Sequence, residues 1–191
     1  MLEMKYPGPL LLILLIFSSV MNSACANQGV NTNDTAVTPE KPKLIICTDI
    51  GGDPDDTQSL TRLLLYANEF DIRGFIASAS GTRGELEVDT VKPHLILNHL
   101  DAYAEVWPLL KKHDADFPAP DHLRNMVKSG NHHRGMDYIG DEFDTEGSNW
   151  IIEQVDELLE AKMNIAIWGG QTDFAQALWR VKNERSFDEY F

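Results

Sequence analysis

Residues 43–56 read KLIICTDIGGDPDD, and this stretch decides the fold. Lys43 to Thr48 is a short continuous apolar run with β-branched residues, typical of a strand buried on both faces of a parallel sheet. An acidic, glycine-containing loop follows, Asp49 to Asp56. Leu60, Leu63, Leu64 and Ala67 then recur at helical spacing through Asn68. Ile72 to Ser78 supplies a second strand, so strand, loop, helix and strand make a βαβ unit.

Downstream the pattern repeats with variations. Pro93 opens a helix at its first turn, with Leu95, Leu97, Leu100, Tyr103 and Ala104 as a loose apolar side, and Pro108 kinks or ends it. From Lys112 to Gly147 the chain is irregular and rich in His, Asp, Gly and Pro; a connection that long is functional or carries short elements of its own. Ser148 caps a helix through Glu160, Met163 to Trp168 is another buried-type strand, Gly169-Gly170 is a tight turn, and Thr172 to Lys182 is a helix. Ser186 to Glu189 forms a capping box, a helix start beside the last residue, so further strands and helices are expected downstream. The expected fold is a Rossmann-like, mostly parallel α/β sheet flanked by helices and truncated at its C-terminal side.

Upstream, Lys5 precedes an apolar run from Leu10 to Val20, and Ala24-Cys25-Ala26 offers small residues for cleavage. Residues 1–26 therefore read as a signal peptide, too short in its apolar run to span a bilayer, and 27–42 as a polar linker. A secreted or periplasmic protein is expected; a lipid anchor on Cys25 is the weaker alternative, because Asn22 suits that signal poorly. Cleavage behind Ala26 leaves Cys47 without a disulfide partner. With 191 residues, 43% of them hydrophobic, one core-forming domain is expected. The formal charge of −14 argues against nucleic acid and against anionic membrane surfaces, and favours a neutral or cationic ligand or a metal.

The chemistry concentrates in the loop. Asp49, Asp53, Asp55 and Asp56 lie at the carboxyl end of a strand and the start of a helix, where ligands bind in open α/β sheets. Crowded carboxylates repel one another unless a cation or protons offset them, and hard oxygen donors select Ca²⁺ or Mg²⁺ over Zn²⁺. Helix capping and the macrodipole account for one or two of the four, not for all beside a glycine pair. The loop lacks the glycine and glutamate that an EF-hand requires.

The stretch TDIGGDPDD (48–56) resembles the N-terminal aspartate motif of the nucleoside hydrolase superfamily. It is nearer to a branch of secreted bacterial proteins described as cellulose-binding with a nucleoside-hydrolase-like domain. Ser59 through Asp71, Ile72 and Gly74 agrees with that branch, as do Val127–Gly130 with Gly135-Met136, and WGGQTDFAQALW (168–179). The resemblance runs from Leu44 to Phe191. It implies Asp49 and Asp56 as Ca²⁺ ligands, with the backbone carbonyl of Thr172 completing that part of the shell, Mg²⁺ being the less favoured ion. It implies Asp55 facing sugar hydroxyls and a glycine-rich segment, His133 to Gly140, bordering the pocket with Asp137 as its acidic position. In true nucleoside hydrolases a second aspartate, two residues after the first, is metal ligand and base for the attacking water. Here that position is Gly51, and Asp53 is the residue expected to replace it as the catalytic base. A last calcium aspartate is expected beyond Phe191.

Other signals are weaker. His132 and His133 are adjacent and point in different directions on most backbones; His94 and His99 do not share a helix face and are expected at the surface. Trp168, at a strand end beside a glycine turn, is a sugar platform, whereas Trp179 and Cys47 read as core. The expectation is a secreted hydrolase of N-glycosyl, riboside-type bonds that uses a calcium-bound water. The alternative is a non-catalytic carbohydrate-binding (cellulose-binding) protein that keeps the pocket and has lost the base; a structural secreted domain with metal only for folding is the third reading.

Overall fold

In a computed structural model, which describes residues 40–79, 90–158 and 162–186, four strands form one parallel sheet. They are β1 (Lys43–Thr48), β2 (Asp71–Ala77), β3 (Val127–Ser129) and β4 (Met163–Ile167), in the order β3-β2-β1-β4. β1 is central: its Lys43 lies opposite Asp71 of β2 on one side and Met163 of β4 on the other. The signal and most of the linker, residues 1–39, lie outside the described residues, as does the C-terminal capping box apart from Ser186. Among the described residues no helix is long and apolar enough to cross a membrane.

Among the described residues five α-helices cover the two faces: α1 (Asp55–Leu64), α2 (Pro93–His113), α3 (Pro120–Asn125), α4 (Glu146–Asp156) and α5 (Thr172–Glu184). Alternation along β1 sends Ile46 into a core with Leu60, Leu64, Phe75, Ile96, Leu100 and Leu123, the side of α1, α2 and α3. Ile45 and Cys47 point the other way, onto Ile76, Ile151 and Ala177 beneath α4 and α5. Burial on both faces is what the unbroken apolar run of β1 required. Cys47 is a buried free thiol, pushed up to about 12 by desolvation and by the nearby Asp173.

Several expectations are corrected in detail. The first helix stops at Leu64, and Ala67–Glu69 forms a separate 3₁₀ turn that still delivers Ala67 to the core. α2 does not end at Pro108 but runs through it to His113, with Ile96, Leu100 and Tyr103 as its buried line. Burial of that line outweighs the roughly 3 kcal/mol cost of an interior proline. The cap of α4 is Thr145 rather than Ser148: Thr145 accepts from the Ser148 amide, and Ser148 Oγ accepts from the Thr145 amide in return, a reciprocal box. α4 ends at Asp156, ahead of the expected Glu160. The long connection after α2 contains α3, the three-residue strand β3 and a 3₁₀ turn at Met136–Tyr138.

The strand order fixes where a ligand fits. From β1 the chain steps to β2 and β3 on one side, then returns to place β4 on the other. The connections leaving the carboxyl ends of β1 and β4 therefore diverge, and an open α/β sheet has its crevice there.

Candidate functional site

Two loops meet at that crevice. The first leaves β1 through Asp49, with the Gly52 amide donating back to the Asp49 carbonyl at 3.1 Å and the Ile50 amide to Thr48 Oγ1 at 3.1 Å. The second leaves β4 through Trp168, whose amide donates to the Cys47 carbonyl at 2.9 Å, and turns at Gly169-Gly170 into α5. Gly169 is required by closeness: a Cβ there would sit 2.0 Å from Asp49 Oδ1 and 2.3 Å from its Cγ. The Asp49 carboxylate thus lies against the bare backbone of the β4 turn.

Asp56, the second residue of α1, is only 3% exposed. Thr48 Oγ1 donates to its Oδ2. Its carboxyl is pushed up to about 6, first by desolvation, then by the charges of Asp49 and Asp55 and by a hydrogen bond with the Asp49 side chain; the Thr48 hydroxyl opposes the rise. Asp49 and Asp56 are therefore a carboxyl pair in contact, with more negative charge than the site accommodates unaided.

The other two aspartates lie on the open side of the loop, with Asp55 Oδ1 accepting from the Asp56 amide at 2.8 Å. Asp53 and Asp55 are exposed, and Asp53 Oδ1 accepts from the Asp55 amide at 3.2 Å, closing a local turn ahead of α1. A side-chain hydrogen bond with Asp53 is the main cause holding the Asp55 carboxyl below its usual range. Gly51 occupies the loop's sharpest point, at φ +91°. A Cβ on Gly51 would lie 2.7 Å from Leu95 Cδ1 and 2.7 Å from Lys92 Cδ, and the Lys92 ammonium donates to the Gly51 carbonyl at 2.8 Å.

α5 organises the far wall. Thr172 is buried, and its Oγ1 accepts from the Gly135 amide at 3.3 Å. Asp173 is fully buried and accepts from Ser78 Oγ (2.5 Å), the Asn131 amide (2.9 Å) and Thr145 Oγ1 (2.6 Å). One carboxylate thus ties the ends of β2 and β3 and the cap of α4 to the turn that carries Thr172. Gln176 donates to the Gly140 carbonyl and accepts from the Gly140 amide, both at 2.8 Å, and Arg180 pairs with Asp144. Burial pushes Asp144 up, but the Arg180 and Gln176 hydrogen bonds outweigh it and hold the carboxyl below its usual range.

Sequence reasoning missed Asp173, Gln176 and Arg180. Their signal was a polar line at helical spacing beside the apolar line of Phe174, Ala177 and Val181. That line clamps the 131–144 loop, on which His133 stacks on Tyr138 with centroids 4.5 Å apart. Asp137 is exposed on the 3₁₀ turn of the same loop. Trp168 is half-buried against the core on the α1 and α2 side.

Among the described residues no group of three or more His, Cys, Asp or Glu side chains is placed to hold a metal. The donors that do converge are the Asp49–Asp56 pair, and the space at Gly169 that a side chain would fill holds the Asp49 carboxylate instead. Two hard carboxylates beside backbone carbonyls suit an oxygen-seeking cation bound partly through neutral oxygens. The pair can hold a proton or a cation.

A family model described as "Cellulose-binding Sde182, nucleoside hydrolase-like domain" matches residues 43–190. The chain is also similar to the solved structure of a nucleoside hydrolase-related hypothetical protein from Saccharophagus degradans, described as associated with carbohydrate metabolism. The TM-score is 0.72 and the sequence identity 36%, over 78% of this chain and 36% of that one. This chain therefore spans about a third of that protein's length. No curated protein matches it. The matched residues take in both loops of the crevice, and the chain belongs to the family of cellulose-binding, nucleoside hydrolase-like domains.

Proposed function

We propose that this domain binds carbohydrate in the crevice between the β1 and β4 loops and does not hydrolyse it. The observation that carries this reading is at Gly51. The resemblance to nucleoside hydrolases puts the water-activating aspartate there. In this chain the residue is a glycine at φ +91°, and Leu95 and Lys92 fill the space its side chain would need. Asp53, the candidate replacement, is exposed and engaged in its own turn. A carboxylate that far out is poorly placed to take a proton from a water held at the pair.

In this reading Asp49 and Asp56, with the carbonyl of Thr172, hold Ca²⁺, whose role is to polarise and orient a sugar hydroxyl. Asp55 accepts from hydroxyls beside the pair, Asp137 does so at the rim, and Trp168 supplies an apolar ring edge for a pyranose. The family description names cellulose, so β-glucan chains are the first ligands to test. The leader at Lys5 and Leu10–Val20 supports action outside the cytoplasm, and N-terminal sequencing of exported protein beginning at Asn27 is the expected check.

Hydrolysis of ribosides is the second reading, favoured by the retained Asp49, Asp55, Asp56 and Thr172 of the aspartate motif and the β4 turn. Titration calorimetry with cello-oligosaccharides and a riboside hydrolysis assay on the same full-length protein separate the two. Binding without turnover is expected. Turnover that disappears in Asp53→Ala transfers the conclusion to the hydrolase, and neither binding nor turnover removes both readings.

A further inference from the structure

We infer that this domain grips a long, neutral glycan chain rather than a single sugar. A track on the outer face of α1, formed by Ser59, Arg62 and Tyr66, carries that chain away from the crevice at Asp55. The inference rests on the proposal that the crevice binds carbohydrate.

Asp55, Ser59, Arg62 and Tyr66 follow one another at steps of four, three and four, the spacing of a single helix face. Asp56, Leu60 and Leu64 make the buried face of the same helix. Ser59 and Arg62 stand about 6 and 10 Å along the axis from Asp55, at 1.5 Å per residue. Tyr66 follows in the turn that closes α1, its amide donating to the Leu63 carbonyl at 2.9 Å, and is 58% exposed. Here a groove of about 380 Å³ is lined by Ser59, Arg62, Leu63, Tyr66, Glu69 and Phe70.

The polar groups of this groove are open to a ligand. The chain has 30 acidic and 16 basic residues, and Arg73, Arg124, Arg180 and Arg185 are each held by a carboxylate. Among the described residues Arg62 has no such partner, and the hydroxyls of Ser59 and Tyr66 make no hydrogen bond. The macrodipole accounts for a cation in the last turn of α1, but not for two aromatic side chains beside it. An exposed tyrosine ring takes the apolar face of a pyranose, while guanidinium N–H groups, a hydroxyl and the Glu69 carboxylate can meet its hydroxyls. An acidic chain with a glutamate in the groove repels a polyanion, which leaves a neutral glycan as the occupant. A single sugar held at Asp55 does not reach Tyr66, so the track rewards length.

Titration calorimetry on the full chain with cellobiose and cellohexaose tests this, comparing wild type, Arg62→Ala, Tyr66→Ala and Tyr66→Trp, with circular dichroism to verify folding. Wild type is expected to bind the longer chain more tightly. Arg62→Ala and Tyr66→Ala should each weaken cellohexaose binding about five- to thirtyfold and leave cellobiose within about twofold, whereas Tyr66→Trp keeps the preference for length. Equal affinity of wild type for the two sugars overturns the inference and leaves the crevice reading standing. So does cellohexaose binding that both alanine variants leave unchanged, or an equal loss for both sugars. Absence of binding to either sugar in wild type removes the crevice reading and the inference together.

Discussion

Asp173→Ala should cost more stability than any other single change near the crevice. The carboxylate is fully buried and serves three separate donors from three elements. Thr145 keeps a partner without it, because Ser148 Oγ is 3.3 Å away. The Asn131 amide has no such recourse, since both of its bonds go to Asp173, at 2.9 and 3.1 Å. An orphaned buried donor costs about 1–3 kcal/mol, and breaking a buried charged network typically costs about 3–5 kcal/mol. The upper range applies, because the four bonds already offset the carboxylate's own desolvation. For a domain of this size the melting temperature should fall by about 6–20 °C. Asp173→Asn does not rescue it: whichever oxygen becomes the amide nitrogen then faces the Asn131 N–H. Urea unfolding followed by tryptophan fluorescence, with hydrogen exchange at the Asn131 amide, measures both effects. A loss below about 1 kcal/mol in Asp173→Ala, or wild-type stability in Asp173→Asn, would show that the carboxylate does not hold these elements together.

The raised Asp56 acid gives a pH dependence of definite sign. Its folded-state value near 6 lies above that of the unfolded chain, so its ionisation opposes folding; the penalty is absent below about pH 4 and complete above about pH 6. In cation-free buffer Asp56→Asn should therefore be more stable than wild type at pH 7.5 by about 1–3 kcal/mol and equal to it near pH 4, read by urea unfolding at the two pH values. Gly169→Ala places a methyl where the Asp49 carboxylate lies and should weaken calcium binding roughly tenfold with little loss of stability; calorimetry that finds unchanged affinity removes Asp49 from the site. Gln176→Leu strands the Gly140 amide and carbonyl, and should cost about 1–3 kcal/mol with faster hydrogen exchange at Gly140. Exchange at Gly140 that stays slow would mean the loop is held by other contacts.

What the chain discloses in one dimension is what local physics decides. The run at Leu44–Cys47 is apolar throughout because both faces are covered, and the helix spacing of Leu60 and Leu64 survives because that face meets Phe75 and Ile46. β3 escaped detection because three half-buried residues, one of them Lys128, carry no period; its pairing with Phe75, Ile76 and Ala77 exists only in three dimensions. Ser148 read as the cap, and the reciprocal bonds that make Thr145 the cap instead depend on backbone geometry. The four aspartates looked alike in sequence. Burial separates Asp56 from Asp53 and Asp55, and a glycine 120 residues along the chain from Asp49 determines where that carboxylate rests. The Asp173 network was silent because an aspartate in the first turn of a helix needs no further reason to be there.

The strand order also has a kinetic meaning. β1 meets β2 across a short connection, Lys43 to Asp71, but meets β4 only after the chain has run to Met163. That loop is roughly four times longer, and at about 0.6 kcal/mol per doubling its closure costs about 1 kcal/mol more. The β1–β2 pair with α1 is therefore expected to form early and β4 to dock late. Asp49 would exist first as a solvated carboxylate on a half-built sheet, and the crevice would come into being in the last step of folding. Pulse-labelled hydrogen exchange, with β2 amides protected before those of β4, is the expected signature.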